Sequence, residues 1–277
     1  MLKVIFNADD FGISPGVNQS IWRAYHEGIL NSTSLMINQE FVPEALEMAK
    51  RMPDLTIGLH INLTNERPAA DPKDIPHLVG PDGKFKNGFV KLFLLSLIHP
   101  KAIYRETKTE IKAQIDKYLA TGLALDHLNS HRHVHLIPAI FRAVKELQAE
   151  YQVRFVRVMN ENAWNTIRQN KSKSWLWDGG LIKYFILRAL SFWDAREKET
   201  YFYTILYTCK ITKDQFQNVV IPKGYRAVEV MIHPGLPEID RPHPEYVWNP
   251  EILKHWRQVE FETLLDPEVA HGLKEQP

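Results

Sequence analysis

Short apolar segments alternate with helix-like segments at the start of the chain, and this alternation limits the fold more than any other feature. The apolar segments at 3–8, 32–38 and 56–63 have the length and composition of buried strands. Between them, residues 15–27 and 42–51 have helical character, and the first of these follows a serine that is suited to cap a helix. The β-α-β-α-β order predicts parallel strands joined by right-handed crossovers.

The remainder of the chain continues this alternation after a long loop rich in proline and glycine at 65–88. Loops of this length in compact domains are usually functional. Later elements are predicted, in chain order, as helix 104–121, strand 123–129, helix 138–151, strand 153–158, helix 181–193, strand 227–232 and helix 250–265. We therefore predict an α/β fold, a (β/α) barrel of the TIM type, in one domain at 1–277 with a variable aromatic-rich segment at 161–225.

Charge balance and cysteine content restrict the class of protein. A formal net charge of +1 gives no general attraction to nucleic acid, so we expect no nucleic-acid partner. A single cysteine, Cys209, excludes an internal disulfide and fits a reducing compartment. The longest apolar run, 92–98, is far too short to span a membrane, and the apolar start is too short for a signal peptide. We expect a soluble cytoplasmic protein without a transmembrane segment.

A histidine tract at 126–135 contains four of the twelve histidines of the chain. Neutral imidazole is the commonest metal ligand, although surface histidines also cluster for other reasons. If the tract is extended, His131, His133 and His135 share a face, whereas His127, His131 and His135 share one if it is helical. His131 belongs to both sets, so it is the strongest ligand candidate of the tract.

Polar residues recur at or near the predicted C-terminal ends of four strands. In an α/β barrel these ends meet on one face, where catalytic residues come from several strands. Taken singly, each has a plainer interpretation, such as a helix-capping acid or a buried, hydrogen-bonded histidine. Together, two histidines and one carboxylate suit a divalent metal that activates water, with a second carboxylate as base and another histidine as acid. The residues concerned are Asp9, Asp10, His60, Asn129, His131 and His233.

Four ordered motifs resemble those of the YdjC-like (ChbG/HpnK) carbohydrate deacetylases. They are Asn-Ala-Asp-Asp-Phe-Gly-Ile-Ser-Pro-Gly-Val-Asn at 7–18, Gly-Leu-His-Ile-Asn-Leu-Thr at 58–64, Asn-Ser-His-Arg-His-Val-His at 129–135 and Glu-Val-Met-Ile-His-Pro at 229–234. The resemblance covers about 3–160 and 226–237 and is weak in between. It implies an irregular barrel and a metal-dependent enzyme that removes acetyl groups from N-acetylated amino sugars.

Carried over by motif, the resemblance also implies roles for individual residues. The metal is one divalent ion, Mg²⁺ or Zn²⁺, with Mn²⁺ or Co²⁺ as alternatives that the sequence does not separate. The implied metal ligands are Asp10, His60 and His131, the catalytic residues are Asp9 as base and His233 as acid, and the substrate-binding residues are Asn129, His133 and His135.

One position departs from the resemblance. Many members that act on sugar oligomers carry an acid where this chain has Asn129, and the surrounding pattern is more similar to the hopanoid-biosynthesis branch. The substrate is therefore expected to be either a free acetylated oligosaccharide or a lipid-linked sugar. Basic and aromatic residues interleave between Lys171 and Trp193, as in segments that lie on a membrane surface. The plainer alternative is an ordinary helix together with an apolar contact in a homodimer.

Two other functions remain open at the level of sequence. The metal could serve hydrolysis of another ester or a phosphodiester, although the near-neutral charge offers no obvious phosphate clamp. The chain could also bind metal or sugar without catalysis. The presence of both Asp9 and Asp10 argues against this, because loss of activity would remove the need for the base.

Overall fold

A seven-stranded sheet forms the centre of the computed structural model, which describes residues 2–170, 180–191, 199–216, 219–242 and 250–275. The strands of the chain are β1 (Lys3–Phe11), β2 (Ser32–Leu35), β3 (Thr56–Ile61), β4 (His127–Ser130), β5 (Phe155–Val156), β6 (Thr200–Tyr203), β7 (Val219–Ile221), β8 (Ala227–Ile232) and β9 (Leu273–Glu275). The large sheet has the order β5-β4-β3-β2-β1-β8-β6 with every pairing parallel, and β7 pairs with β9 separately. The predicted parallel α/β architecture is confirmed.

Helices follow most strands, as the crossover pattern predicts. They are α1 (Pro15–Glu27), α2 (Val42–Ala49), α3 (Phe89–Ile98), α4 (Pro100–Leu119), α5 (Pro138–Glu150), α6 (Ala163–Gln169), α7 (Gly180–Leu190), α8 (Pro237–Asp240), α9 (His255–Leu265) and α10 (Glu268–His271). Helix α1 begins as predicted, because the Ser14 hydroxyl accepts a hydrogen bond from Val17 N and Pro15 occupies the first turn. Helix α3 was not predicted, since it is apolar on nearly every face and so lacks the helical period.

The sheet curls as a half-barrel, and a closed TIM barrel is not confirmed. Within the described chain, β5 and β6 lie at opposite edges of the sheet and do not pair. The side chain of Asn160 bridges this gap. Its Oδ1 accepts from Phe202 N at 2.7 Å, and its Nδ2 donates to Thr200 O at 2.8 Å. One amide group thus provides the pair of hydrogen bonds that a neighbouring strand would have supplied.

A bulge near the end of β1 sets the direction of two adjacent acids. The pairing of β1 with β2 changes register between Ala8 and Phe11, and Asp10 has φ of 72°. In a regular strand Asp9 and Asp10 would point to opposite faces. The bulge breaks this alternation, so both carboxylates line the same cavity.

Part of the aromatic middle of the chain, including Lys171, Trp175, Trp177 and Trp193, lies outside the described residues. The predicted membrane-surface stretch falls largely on this part, so it stays a prediction. The described helix α7 buries Tyr184 and leaves Phe185 exposed. No helix among the described residues is both long and apolar enough to cross a membrane.

Candidate active site

A cavity of about 320 Å³ opens at the C-terminal edge of the parallel sheet. Because parallel strands end at the same edge, residues far apart in sequence meet there. Strands β1, β3 and β4 contribute lining residues directly, and the segments that follow β4, β6 and β8 contribute others. The lining residues are Asp9, Asp10, His60, Ser130, His131, Arg132, His133, Thr208, Cys209, His233, Glu251, Trp256 and Arg257.

Three of the predicted ligands form a compact cluster in this cavity. Asp10 Oδ1 lies 2.9 Å from His131 Nδ1 and 3.3 Å from His60 Nε2. One ligand atom from each residue lies within 4.8 Å of the others, and Asp10 and His60 expose only 1% of their surface. Among the residues that the structure describes, this is the group of acid, histidine and cysteine side chains that could hold a metal ion.

The hydrogen bonds around Asn129 fix the tautomer of His60. Asn129 Nδ2 donates to Asp9 Oδ1 at 3.2 Å, and a carboxylate can only accept, so Asn129 Oδ1 must face the other way. That oxygen lies 2.7 Å from His60 Nδ1, which must therefore carry the proton. The lone pair of His60 Nε2 is left directed toward Asp10, as a metal ligand requires.

The charge of the buried cluster also suits a divalent cation. Four buried carboxylates stand against two buried guanidinium groups, which leaves an excess of two negative charges when the histidines are neutral. Burial alone would lower the pKa of His60, but the charges of Asp9 and Asp10 outweigh it and raise that pKa. Two uncompensated negative charges in a site of low dielectric attract cations. The carboxylates are Asp9, Asp10, Glu229 and Glu260, and the guanidinium groups are Arg157 and Arg257.

Arg157 holds Asp9 as a carboxylate. Its Nη1 and Nη2 donate to the two oxygens of Asp9 at 2.7 and 2.8 Å, while its Nε donates to Glu229 at 2.9 Å. Burial would raise the pKa of Asp9, but Arg157 and the nearby histidines hold it well below its usual range. Asp9 is therefore ionised and fixed in orientation next to the ligand cluster.

Asp10 is paired with the second buried arginine. Arg257 Nη2 donates to Asp10 Oδ2 at 2.6 Å, so the other oxygen is the one that faces His60 and His131. Although burial opposes it, the charges of His131 and Arg257 keep the pKa of Asp10 well below its usual value. Asp10 can thus offer one ionised oxygen to a metal while the other is held.

His233 lies across the cavity between two carboxylates. Its Nε2 is 3.7 Å from Asp9 Oδ2, and its Nδ1 is 3.7 Å from Glu260 Oε2. The ring meets Trp256 edge-on, with the ring centroids 6.1 Å apart. The imidazole therefore faces the same space as Asp9, where it could exchange a proton with a bound molecule.

The histidine tract adopts neither of the two regular conformations considered from the sequence. Residues His131–Leu136 form a 3₁₀ turn in which Arg132 and His133 have φ of 55° and 56°. His131 and His133 reach the cavity as a result. His127, at the other end of β4, instead packs over Gly58, where an added Cβ would lie 2.4 Å from its Nε2.

Two residues predicted to bind substrate lie behind the cavity wall. Asn129 and His135 have no exposed surface and are not among the lining residues. The ring of His135 accepts from the Ser130 hydroxyl at Nδ1 and donates from Nε2 to Arg157 O. Such buried placement is typical of groups that position others, and the predicted contact of these two residues with substrate stays a prediction.

Sequence reasoning missed four charged residues that the site depends on. Arg157 and Arg257 pair with the two aspartates, and Glu260 accepts the backbone N–H of His233 at 2.7 Å. Arg257 and Glu260 lie on α9 and Arg157 follows β5, and no sequence motif indicates a role for any of them. For Glu229 a signal existed, since a carboxylate inside the apolar run 227–232 needs a buried partner.

Comparison with known proteins finds relatives that are named carbohydrate deacetylases. A carbohydrate deacetylase from Vibrio parahaemolyticus is 30% identical over 278 aligned positions, which cover 99% of this chain and 91% of that protein. A carbohydrate deacetylase from Brevibacillus brevis is 40% identical over 152 residues, covering 55% of this chain and 58% of that protein. With this second relative, and with several Vibrio proteins, the match spans little more than half of the relative's length.

The fold has a counterpart among solved structures. A protein from Enterococcus faecalis named for cellobiose-phosphate cleavage superposes with a TM-score of 0.69 at 26% identity, over 99% of this chain and 97% of that one. The family model described as "YdjC-like protein" matches residues 3–275, which include every residue of the site. The chain therefore belongs to the YdjC-like protein family.

Proposed function

We propose that this chain is a divalent-metal-dependent hydrolase that removes the acetyl group from an N-acetylated amino sugar. The observation that carries the proposal is the meeting of Asp10, His60 and His131 in one cavity with an ionised second carboxylate, Asp9, beside them. Relatives named as carbohydrate deacetylases support the sugar substrate. A bound metal would supply Lewis acidity and lower the pKa of a water in this site.

The orientation of the side chains supports the roles that we assign to them. Asp10 Oδ1, His60 Nε2 and His131 Nδ1 would hold the ion. Asp9, fixed by Arg157, would accept a proton from the attacking water, and His233 would donate one to the departing amine nitrogen. The C–N bond of the acetamide breaks as the new C–O bond forms, and the products are acetate and the free amino sugar.

Two histidine nitrogens and one carboxylate oxygen suit some metals better than others. Imidazole is a good ligand for zinc, and cobalt binds such sites more tightly than manganese, whereas manganese and magnesium prefer oxygen ligands. We therefore rank Zn²⁺ and Co²⁺ above Mn²⁺ and Mg²⁺ for this site.

The cavity volume bears on the substrate. About 320 Å³ is at the lower end of the range for small-molecule sites, so the cavity suits one sugar unit with its acetamido group. The rest of an oligosaccharide, or the lipid of a lipid-linked sugar, would then extend from its mouth. His133 lines the cavity and would contact the sugar, whereas Asn129 and His135 would position His60, Asp9 and Arg157 from behind.

The test is acetate release by purified protein after metal removal and reloading with one ion at a time. Three substrate arms are needed: N-acetylglucosamine, a short N-acetylglucosamine oligosaccharide and a lipid-linked N-acetylated sugar in detergent. Turnover on the oligosaccharide alone would identify a free-sugar enzyme, and turnover on the third alone a lipid-linked substrate. Absence of acetate in every arm, with the metal shown to be bound, would refute the proposal. Asp9→Asn is the control for contaminating activity.

A further inference from the structure

The surroundings of His233 contain an arrangement that the proposed reaction does not yet use. The Nδ1 atom of His233 is buried and has no hydrogen-bond partner among the residues that the structure describes. Buried polar atoms without partners are uncommon and usually reflect a functional demand or an interaction completed in another state. Such an atom on a residue that lines the cavity calls for an acceptor nearby.

Glu260 on α9 is that acceptor. Its side chain is completely buried, and its Oε2 lies 3.7 Å from His233 Nδ1. The same oxygen already accepts the backbone N–H of His233 at 2.7 Å, and its Oε1 lies 3.4 Å from Ile211 N. The carboxylate is thus anchored to the backbone on both sides, and a ring displacement of less than about 1 Å would bring Nδ1–H into hydrogen-bond range.

Two carboxylates therefore face the imidazole from different elements. Asp9 from β1 lies at Nε2, and Glu260 from α9 lies at Nδ1, at the same distance of 3.7 Å. Asp9 is already bound through both oxygens to Arg157, whereas Glu260 has no arginine or lysine partner among the described ion pairs. Of the two carboxylates, Glu260 is therefore the better placed to accept a hydrogen bond from a protonated ring nitrogen.

We propose that Glu260 is the positioning residue of the acid: it holds the proton of His233 on Nδ1 and stabilises the imidazolium, so that Nε2–H faces the amide nitrogen of the substrate. The proposal rests on the proposed function for its catalytic consequence. A histidine that donates from one nitrogen is commonly oriented by a carboxylate at the other, because the pairing selects the tautomer and stabilises the charged ring. Glu260 does not line the cavity, so it acts only through His233.

The decisive experiment compares substrates with different leaving groups in Glu260→Gln. The leaving group of an acetamide is an amine, which needs a proton to depart. The leaving group of 4-nitrophenyl acetate is 4-nitrophenolate, which is stable and departs without one. We expect kcat on the acetamide to fall by about 10-fold or more, because Glu260 supports part of the roughly 10²- to 10⁴-fold contribution of a general acid. The rate on the ester should change less than about twofold. Equal losses on both substrates would overturn the proposal, since a structural effect does not distinguish leaving groups.

A double-mutant cycle separates action through His233 from any other effect. If Glu260 works through the ring, Glu260→Gln should cost little in a His233→Gln background, and additive losses would contradict the proposal. The matched control is Glu262→Gln, which removes an exposed carboxylate from the same helix and should change neither rate.

The position of the ring proton can be measured without turnover. Nitrogen-15 NMR of the histidine side chains, assigned with His233→Gln, should show Nδ1 protonated in the wild type and a mixed tautomer in Glu260→Gln. A wild-type His233 that is protonated only at Nε2 when neutral would refute the role of Glu260. If no substrate is turned over but Nδ1 is protonated as expected, the proposed function fails while the pairing stands.

Discussion

Arg157 binds both carboxylate oxygens of Asp9, at 2.7 and 2.8 Å, and neither side chain exposes more than 1% of its surface. A third buried charge, Glu229, shares the same guanidinium at 2.7 Å. The pair joins the end of β1 to the segment after β5, at the edge of the half-barrel. Fixing Asp9 in this way orients it toward the cavity, and it also makes folding depend on a charge at position 157.

Replacing Arg157 by methionine should destabilise the protein strongly. The change leaves Asp9 and Glu229 buried without their cation, and breaking such a pair costs about 3–5 kcal/mol. The measurement is the free energy of unfolding from urea titration. Arg154→Met is the matched control, because Arg154 is 53% exposed and its pair with Asp126 lies near the surface, so a loss below about 1 kcal/mol is expected. Similar losses for both variants would contradict this account.

The two adjacent aspartates should have separable roles. Asp9→Asn should reduce turnover by about 10²- to 10⁴-fold, because the proton acceptor is lost, and should leave metal affinity within a few-fold, because Asp9 is not part of the ligand cluster. Asp10→Asn should instead weaken metal binding, since it removes a ligand atom of the cluster. Metal affinity is measured by competition with a chromophoric chelator. Equal loss of metal in both variants would disprove this division of roles.

Asn129→Leu should weaken metal binding although Asn129 is not a ligand. Without the amide, His60 Nδ1–H loses its nearer acceptor, at 2.7 Å, and keeps only the Ser34 hydroxyl at 3.1 Å. Changes to the groups that hold a metal-binding histidine cost about 10- to 100-fold in metal affinity. The control is Asn160→Leu, which removes another buried amide, away from the site. It should lower stability and leave metal affinity unchanged, whereas equal affinities in all three proteins would exclude the tautomer argument.

His135 should make the fold sensitive to mild acid. Burial lowers the pKa of His135 from 6.5 to about 3, and the hydrogen bond that Nε2–H donates to Arg157 O opposes this shift only in part. Between these pH values His135 binds a proton in the unfolded chain but not in the folded chain. The free energy of unfolding therefore falls as pH decreases from about 6.5 toward 3. His135 alone should lower the free energy of unfolding by about 2 kcal/mol at pH 5 relative to pH 7.

The measurement for this prediction is the free energy of unfolding at pH 5 and pH 7. His135→Gln should lower stability at pH 7, because packing and one hydrogen bond change, yet it should reduce the difference between the two pH values. The exposed His26 offers a matched control, and His26→Gln should leave that difference as in the wild type. An unchanged pH dependence in His135→Gln would show that other groups cause the acid sensitivity.

Several parts of the fold could be predicted because they depend on neighbouring residues. The strand at 227–232 and the helix at 15–27 match the structure at both ends, since their apolar period and capping residues are local signals. Helix α3 was not predicted, because it carries apolar residues on its exposed face as well and so shows no helical period. These exposed apolar residues are Val90, Leu94, Leu97 and Ile98. The extent of barrel closure could not be predicted either, since it depends on whether the two edge strands meet.

The alternation of strands and helices along the sequence predicts parallel strands, and parallel strands bring Asp10, His60 and His131 to one edge of the sheet. The reason is that strand polarity places successive strand ends at one edge, whatever the details of packing. Only the tertiary structure decided which atoms face the metal site and which groups hold them. Arg257 lies 247 positions from Asp10, and Arg157 lies 148 from Asp9, so no local pattern records these pairs. Burial creates the need for such partners, and the fold alone selects them.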